Sequence, residues 1–291
     1  MKTWLPVLAG AVLLLMACPE TAAQNGPFPQ EKKPRRIVSL SPHITELVFA
    51  AGAGDLLVGT VEYSDYPAKA LAVARIGDAF RIDLEKLAAL RPDLILAWPG
   101  GNPQTMIVAL RRDGYEVLEL SASGLGSVAD QLRRIGQITG HTGRADEEAD
   151  RYLARVDRLR TENSQKTPVR VFYQISAKPL FTVGRKQIIS EVVSLCGGMN
   201  IFDDLNSLAP VVSMESVLLR NPQVILSGET GSENPLNIWL AFPAVAAVRQ
   251  ENLFLLDASL LARPGLRLAD GAARVCLLLD QARRKTTDSP T

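Results

Sequence analysis

Histidine and cysteine are scarce in this 291-residue sequence, and their scarcity limits the chemistry available to the chain. The two histidines are His43 and His141, and the three cysteines are Cys18, Cys196 and Cys276, which lie far apart without a CxxC pair. This spacing argues against a zinc site or another thiolate metal site. A histidine-based triad has few options, and the motifs GxSxG, GxxxxGK[ST] and HExxH are absent. We therefore expect neither an enzyme nor a resident metal or cofactor.

A strong net charge and long apolar runs are also missing. The formal net charge is +1 at pH 7, which gives no broad electrostatic case for nucleic-acid binding. Beyond the N-terminal region, no stretch approaches the roughly 20 apolar residues of a transmembrane helix. The composition is ordinary for a globular protein, and the length is sufficient for two domains of usual size.

The first 23 residues are typical of an export signal. Lys2 precedes an apolar run at residues 7–16 that is too short to span a bilayer. Two cleavage sites are open, LMAC at residues 15–18 and TAA at residues 21–23. The first would leave Cys18 lipidated at the new N-terminus, and the second would be ordinary signal cleavage. Both predict a periplasmic protein, which would be membrane-anchored if Cys18 carries a lipid.

Export also bears on the other two cysteines. Once Cys18 is removed or acylated, Cys196 and Cys276 remain as a pair in an oxidising compartment, where a disulfide is expected. Two separate buried thiols are the alternative.

Strands and helices are expected to alternate along both halves of the chain. In the first half, strands are predicted at residues 36–40, 56–60, 93–97 and 116–120, and helices at 43–51, 83–90 and 103–113. In the second half, strands are predicted at 169–174, 224–227 and 253–257, and helices at 187–196, 214–220 and 268–283. This alternation is typical of α/β folds with mostly parallel sheets.

One long helix is predicted at residues 144–163, between the two halves. Apolar residues recur there at three- and four-residue spacing, which draws a narrow stripe made of Ala145, Ala149, Tyr152, Val156 and Leu159. We interpret the chain as a tether at 24–35, an N-terminal lobe at 36–143, this linking helix, and a C-terminal lobe at 164–291, with a cleft between the lobes. The alternative is a surface helix within one domain.

An internal repeat favours the two-lobed interpretation. DLEKL at residues 83–87 followed by PDLIL at 92–96 matches SMESV at 213–217 followed by PQVIL at 222–226. Glu85 and Glu215 occupy the same position in the first helical turn, where a carboxylate is favourable by itself. As a matched pair they would also present one carboxylate per lobe to arginines of a partner.

Aromatic residues and one arginine mark a candidate ligand site. Tyr63, Tyr66, Trp98 and Phe181 follow strands or lie in loops, and ligands of open α/β sheets bind beyond the carboxyl ends of strands. These rings would stack on a flat ligand or, alternatively, pack beneath their loops. Arg263 would meet an anionic or amide-bearing ligand, or would be a solvated turn residue.

At these positions the chain resembles the BtuF family of periplasmic cobalamin-binding proteins. This family belongs to the substrate-binding proteins that serve ABC importers for cobalamin, haem and ferric siderophores. The matching stretches are RIVSLSP at 36–42 with TEL at 45–47, YSDYP at 63–67, PDLILAW at 92–98 with GGN at 100–102, Pro179 with FT at 181–182 and Gly184, and CGG at 196–198 with NIF at 200–202.

The resemblance implies two Rossmann-like lobes, a rigid linking helix with little hinge closure, and a Cys196–Cys276 disulfide. It implies that a monomer captures cobalamin or a related corrinoid in the cleft, and that Glu85 and Glu215 dock on arginines of the membrane permease. The ligand contacts that it implies are Tyr63, Trp98, Phe181, Ser259, Leu260, Leu261, Ala262 and Arg263.

The chain departs from the family pattern at positions where aromatic residues are expected around the corrin. These positions hold Ala79, next to Phe80, together with Ala209 and Leu260. A haem or ferric-siderophore binding protein is therefore the alternative within the class. From other classes, the alternatives are a cleft enzyme and a surface lipoprotein without a transport role.

Overall fold

The computed structural model describes residues 33–229 and 234–287, apart from the side chains of residues 229, 286 and 287. Cys18, both candidate cleavage sites and most of the predicted tether lie outside these ranges. Within the described ranges, no helix combines the length and the apolar character needed to cross a membrane.

The N-terminal half forms a four-stranded parallel sheet. Its strands are β1 (Ile37–Ser39), β2 (Leu57–Thr60), β3 (Leu94–Ala97) and β4 (Val117–Glu119), in the order β2-β1-β3-β4. These strands are short apolar runs, and β1 and β3 are buried throughout because helices cover both faces of the sheet. The strands predicted for this half are confirmed.

Four helices accompany this sheet: α1 (Pro42–Ala50), α2 (Leu84–Leu90), α3 (Gln104–Arg112) and α4 (Leu125–Thr139). The first three lie within two residues of the predicted bounds. α4 was not predicted, because Gly124 precedes it and Gly126 and Gly136 lie within it, where glycine lowers the intrinsic helix propensity. Tertiary burial of one face, from Leu125 to Thr139, outweighs that cost.

The long helix is α5 (Thr142–Asn163), which begins two residues before the predicted start. Its predicted stripe is confirmed, since Ala145, Ala149, Tyr152 and Val156 are buried and Leu159 packs at the margin of the core. α5 packs along α4, to which it is joined through Gly140 in the left-handed conformation at φ 79°.

The C-terminal half repeats this plan around a second sheet. β5 (Val169–Ala177), β8 (Val224–Glu229) and β9 (Leu253–Asp257) are parallel, while β6 (Leu180–Thr182) runs antiparallel to β5 and β7 (Gly198–Asn200) runs parallel to it. The helices are α6 (Ile188–Leu195), α7 (Met214–Arg220), α8 (Ala246–Arg249), α9 (Ala258–Ala262) and α10 (Leu268–Thr287). β6, β7, α8 and α9 were not predicted, because elements of three to five residues carry too little sequence pattern.

The internal repeat is confirmed in detail. The Asp83 and Ser213 side chains accept hydrogen bonds from backbone N–H groups in the first turns of α2 and α7. Both helices span seven residues and end at a residue in the left-handed conformation, Arg91 and Asn221. The two halves therefore share local backbone geometry as well as element order.

One hydrophobic core joins the two sheets. The largest cluster contains strand residues of both sheets together with residues of α1, α4, α5, α6 and α10. Inside it, Cys196 and Cys276 form the expected disulfide, with an S–S distance of 2.05 Å. The α/β class is confirmed, whereas the residue limits proposed for the lobes and the tether stay predictions.

Candidate ligand-binding cleft

Segments that follow strands of the two sheets meet each other. Asp65 lies in the loop that follows β2, and Arg263 lies in the segment that follows β9 and α9. These side chains meet across 198 residues of sequence, with Arg263 Nη1 at 2.5 Å from Asp65 Oδ1. The candidate site is therefore an interlobe cleft at the position where open α/β sheets bind ligands.

Tyr63 is exposed to solvent on a loop that buried hydrogen bonds hold in place. Its side chain is 74% exposed, and its backbone adopts φ 63°, which is uncommon for a residue other than glycine. The next residue, Ser64, is buried and bonded to Thr60, whose hydroxyl also lies 2.6 Å from that of Thr45. Arg75 donates to the Ser64 carbonyl oxygen at 2.7 Å. These bonds hold the loop that carries Tyr63.

Trp98 is held in a loop that Asn102 organises. The buried Asn102 accepts a bond from the Trp98 backbone N–H at 2.7 Å, and its amide nitrogen donates to the carbonyl oxygens of Leu40 and Ala79 at 2.9 Å each. A Cβ atom added at Gly101 would lie 2.1 Å from the indole, so that only glycine permits this packing. The half-buried ring is thereby fixed at the carboxyl end of β3.

His43 supports the other side of Trp98. The two rings meet edge to face, with centroids 5.0 Å apart, and Nδ1 of His43 lies 2.6 Å from the Ser41 hydroxyl. Burial lowers the pKa of His43 to about 3, so the imidazole is neutral at physiological pH. His43 is therefore a neutral packing residue in this structure.

The predicted contacts from the C-terminal lobe differ in their surroundings. Phe181 is half-buried on β6, opposite Ser176 of β5, and Ser259 donates its backbone N–H to Asp257 at 2.8 Å. Leu260 is half-buried and Ala262 is exposed, which leaves both accessible. The side chain of Leu261 is instead fully buried in the core, because the α9 turn directs it inward.

Arg263 is held by carboxylates of the opposite lobe. Its two terminal nitrogens contact the Asp65 carboxylate, and Nη1 also lies 3.6 Å from Oε1 of Glu46 on α1. Arg267 forms a bidentate pair with Glu46, at 3.0 and 2.6 Å, and its guanidinium lies 4.1 Å above the Tyr66 ring. Arg263 is therefore neither free nor solvated.

These pairs shift the protonation equilibria of their members. The hydrogen bond from Arg263 holds the pKa of Asp65 below its usual range, and the bonds to Glu46 raise the pKa of Arg267. Asp65 and Arg267 are therefore both charged at neutral pH.

Two apolar side chains are exposed, one on a loop of the N-terminal half and one near the carboxyl end of β5. Phe80 is 68% exposed, and Ile175 of β5 is also exposed. Ala79 has its carbonyl oxygen occupied by Asn102, and Ala209 is exposed. Among the residues that the structure describes, no group of three or more His, Cys, Asp or Glu side chains is arranged to hold a metal ion.

Glu85 and Glu215 are both exposed in the first turns of α2 and α7. Each helix precedes and runs back along a parallel strand, so that its first turn lies level with the carboxyl end of that strand. From this order we expect the two carboxylates on the side of the molecule where the cleft lies.

Sequence patterns gave no role to Glu46, Asp65, Asn102 or Arg267. Glu46 and Asp65 lie within the TEL and YSDYP stretches, but their partners are more than 190 residues away. The only local signal was a charged residue on the otherwise apolar α1, since a buried carboxylate needs a partner.

Comparison with known proteins gives consistent matches over nearly the whole chain. The model of the periplasmic binding protein family matches residues 37–260. A vitamin B12-binding protein of Vibrio cholerae is 38% identical over 281 residues, which cover 94% of this chain and 99% of that protein.

Solved structures share the fold. The crystal structure of BtuF, the periplasmic vitamin B12 binding protein of Vibrio cholerae, has a TM-score of 0.79 at 38% identity and covers 86% of this chain and 98% of that chain. The apo form of RhuT, a periplasmic heme-binding protein from Roseiflexus, has a TM-score of 0.76 at 24% identity, with 85% and 98% covered. The expected two-lobed fold is confirmed, and the chain belongs to the periplasmic binding protein family.

Proposed function

We propose that this protein is the substrate-binding protein of an ABC importer and that it captures cobalamin, or a related corrinoid, in the interlobe cleft. The observation that carries the proposal is the 38% identity to the vitamin B12-binding protein of Vibrio cholerae over 94% of this chain. No bond is made or broken in this function, because the protein binds its ligand, releases it at the permease and returns to the free state.

The cleft geometry supports a flat, largely uncharged ligand. Tyr63 and Trp98 offer ring surface on loops that buried hydrogen bonds fix in place. Phe80 supplies further exposed ring surface next to Ala79. A preformed aromatic surface binds a rigid ring with little loss of side-chain entropy.

Calorimetric titration of the purified mature protein tests the ligand. Saturable one-to-one binding of cyanocobalamin, at about micromolar affinity or tighter, is expected from the cleft. Haemin is titrated in parallel, because Ala79, Ala209 and Leu260 reduce the aromatic surface. Binding of haemin without cyanocobalamin would retain the importer function and replace its ligand, whereas no binding of either would contradict the proposal.

Recovery of the ligand separates a binding protein from a cleft enzyme. Chromatography of the ligand after prolonged incubation is expected to return unchanged cyanocobalamin. Steady conversion with turnover would favour an enzyme instead.

Glu85 and Glu215 are the proposed contacts with the permease. The two exposed carboxylates occupy equivalent helix starts. Hydrogen bonds from its own backbone N–H and from Ser213 lower the pKa of Glu215, so it is ionised at neutral pH. Charge-assisted pairs with arginines, one for each lobe, would orient the cleft over the membrane protein.

Charge reversal tests this docking. The double variant Glu85→Arg and Glu215→Arg is expected to bind cyanocobalamin with wild-type affinity and to lose permease-dependent uptake. Glu147→Arg with Glu162→Arg, which changes the net charge by the same amount at exposed positions of α5, is the matched control for general surface-charge effects. Unchanged uptake by the double variant would remove both residues from the interface.

The protein is proposed to act in the periplasm as a monomer. Lipidation at Cys18 and ordinary cleavage after residue 23 remain the two options for its N-terminus. Mass spectrometry of the N-terminal peptide distinguishes them, and Cys18→Ala would release the protein from the membrane fraction only in the first case.

A further inference from the structure

Arg263, at the cleft, is paired with a carboxylate of the protein itself. Arg263 directs both terminal nitrogens at Asp65, at 2.5 and 3.3 Å, and its side chain is only 16% exposed. Behind it, Glu46 is 5% exposed and binds Arg267 through both oxygens. Two cations are thus balanced by two anions at this end of the cleft.

Arg263 is the guanidinium that balances Asp65, because Arg267 is bonded to Glu46. Arg267 is fixed by a bidentate bond and by the Tyr66 ring, so turning toward Asp65 would leave the buried Glu46 with only Arg263, at 3.6 Å. Asp257 lies close enough to be stabilised by both arginines, although its first partner is Ser259. An incoming carboxylate would therefore face three resident carboxylates around Arg263 and Arg267.

Asp65 neutralises the charge of Arg263 and still has carboxylate oxygen exposed to accept hydrogen bonds. Its side chain is 52% exposed although one face is bonded to Arg263. A carboxylate has about four lone-pair positions, so oxygens bonded to Arg263 still accept further N–H donors. A ligand carboxamide would donate to these positions, whereas a ligand carboxylate would be repelled by the same oxygens.

We propose that Asp65 is a specificity-determining residue, which masks Arg263 so that this end of the cleft selects an amide-bearing ring over a carboxylate-bearing one. The inference rests on the proposed function, because it requires the ring to occupy the interlobe cleft. It goes further by assigning the selection between neutral and anionic side groups to one carboxylate.

A matched ligand series tests the charge without changing the shape of the ring. Cyanocobalamin is compared with its three monocarboxylic acids, in each of which one propionamide is hydrolysed to a carboxylate. Wild-type protein is expected to bind at least one of the acids more weakly than the parent. For that acid, the dissociation constant is divided by the dissociation constant of cyanocobalamin. In Asp65→Asn, which frees Arg263, this ratio is expected to fall by about three- to tenfold.

The Asp270→Asn variant is the matched control. Asp270 pairs with Arg155 at 2.5 Å on an exposed part of the surface, along a groove of about 700 Å³ that Arg267 also lines. It is expected to retain the wild-type ratio. Titrations at low ionic strength keep the charge effect measurable, because salt screens exposed pairs. Thermal unfolding of both variants confirms that they are folded.

The outcomes separate the two claims. Failure of the wild-type protein to bind cyanocobalamin would overturn the cobalamin assignment together with this inference. Normal binding of cyanocobalamin with an unchanged ratio in Asp65→Asn would overturn the selective role of Asp65 alone. A ratio that shifts equally in Asp270→Asn would also overturn it, since the effect would then reflect net charge.

Discussion

A single buried histidine lies behind one of the proposed stacking residues. His43 is almost fully buried, contacts Ser41 through one ring nitrogen and packs against Trp98. Its other nitrogen, Nε2, has no hydrogen-bond partner among the described residues. Protonation would place a charge in this apolar setting, which explains why burial lowers the pKa to about 3.

This low pKa predicts a loss of stability in mild acid. Unfolded chains bind a proton at His43 below about pH 6.5, while the folded chain does so only near pH 3, so acid favours the unfolded state between these values. Between about pH 7 and about pH 5 the group should remove about 2 kcal/mol from the free energy of unfolding. Urea denaturation of the wild type and of His43→Gln measures this, and His43→Gln is expected to lack that part of the decrease. Equal decreases in the two proteins would contradict the assignment.

At the scale of elements, the disulfide joins two helices of the C-terminal lobe. Cys196 follows α6 directly, and Cys276 lies in the middle of α10, 80 residues further along the chain. Both sulfur atoms are inside the shared core, where α6 and α10 pack together. The bond therefore closes a long loop that contains β7, α7, β8, α8, β9 and α9.

Removal of this loop closure should be costly. The double variant Cys196→Ala and Cys276→Ala is expected to lose about 4 kcal/mol of unfolding free energy, because a closed loop of 80 residues restricts the unfolded chain. Urea denaturation under non-reducing conditions gives the difference. Cyanocobalamin affinity should change little where the variant is folded, since the bond lies away from the cleft. A double variant as stable as the wild type would contradict the entropic role.

The elements that sequence patterns predicted are those with a strong local signal. Strands such as Leu94–Ala97 and helices such as Met214–Arg220 combine an apolar pattern with a capping residue or a proline boundary. Helix α4 lacks that signal because of its glycines, and β6 and β7 are three residues each. Their conformation is decided by packing, which sequence alone does not display.

The candidate ligand site was likewise predictable only in part from the sequence. Tyr63 and Trp98 were expected from aromatic residues in loops after strands, which is a local pattern. The pairing of Asp65 with Arg263 and of Glu46 with Arg267 depends on how the two lobes meet. A pairing between residues about 200 positions apart leaves no periodic trace in one sequence, so these contacts required coordinates.

At the scale of the whole molecule, two matched contacts cross between the lobes. Glu46 of α1 reaches Arg267 just before α10, and Glu191 of α6 accepts the Leu125 backbone N–H at the start of α4 at 2.8 Å. The sequences around the two glutamates, ITELV and ISEVV, correspond. Each lobe thus directs one carboxylate at the beginning of a helix in the other lobe.

Together with the shared core, the Glu46–Arg267 and Glu191–Leu125 contacts oppose relative motion of the lobes. A helix start favours a carboxylate through its free N–H groups and its dipole, and Glu46 adds a buried ion pair. The little hinge closure that the family resemblance implies thus has a structural basis here. The Glu46–Arg267 contact should be the stronger of the two, because it is a bidentate pair of opposite charges.

Weakening the Glu46–Arg267 contact should therefore widen the range of distances between the lobes without unfolding them. In Glu46→Gln, Arg267 is left partly buried without its counter-charge, at a cost of about 3 kcal/mol, while the shared core persists. Spin labels on Ala89→Cys and Leu219→Cys, exposed positions that correspond on α2 and α7, report the distance between the lobes. The wild type should give one narrow distance distribution, and Glu46→Gln a broader one. Asp270→Asn, which breaks a surface pair only, should match the wild type. If Glu46→Gln also matches it, the core alone sets the lobe orientation, and the ion pair serves only to neutralise the cleft.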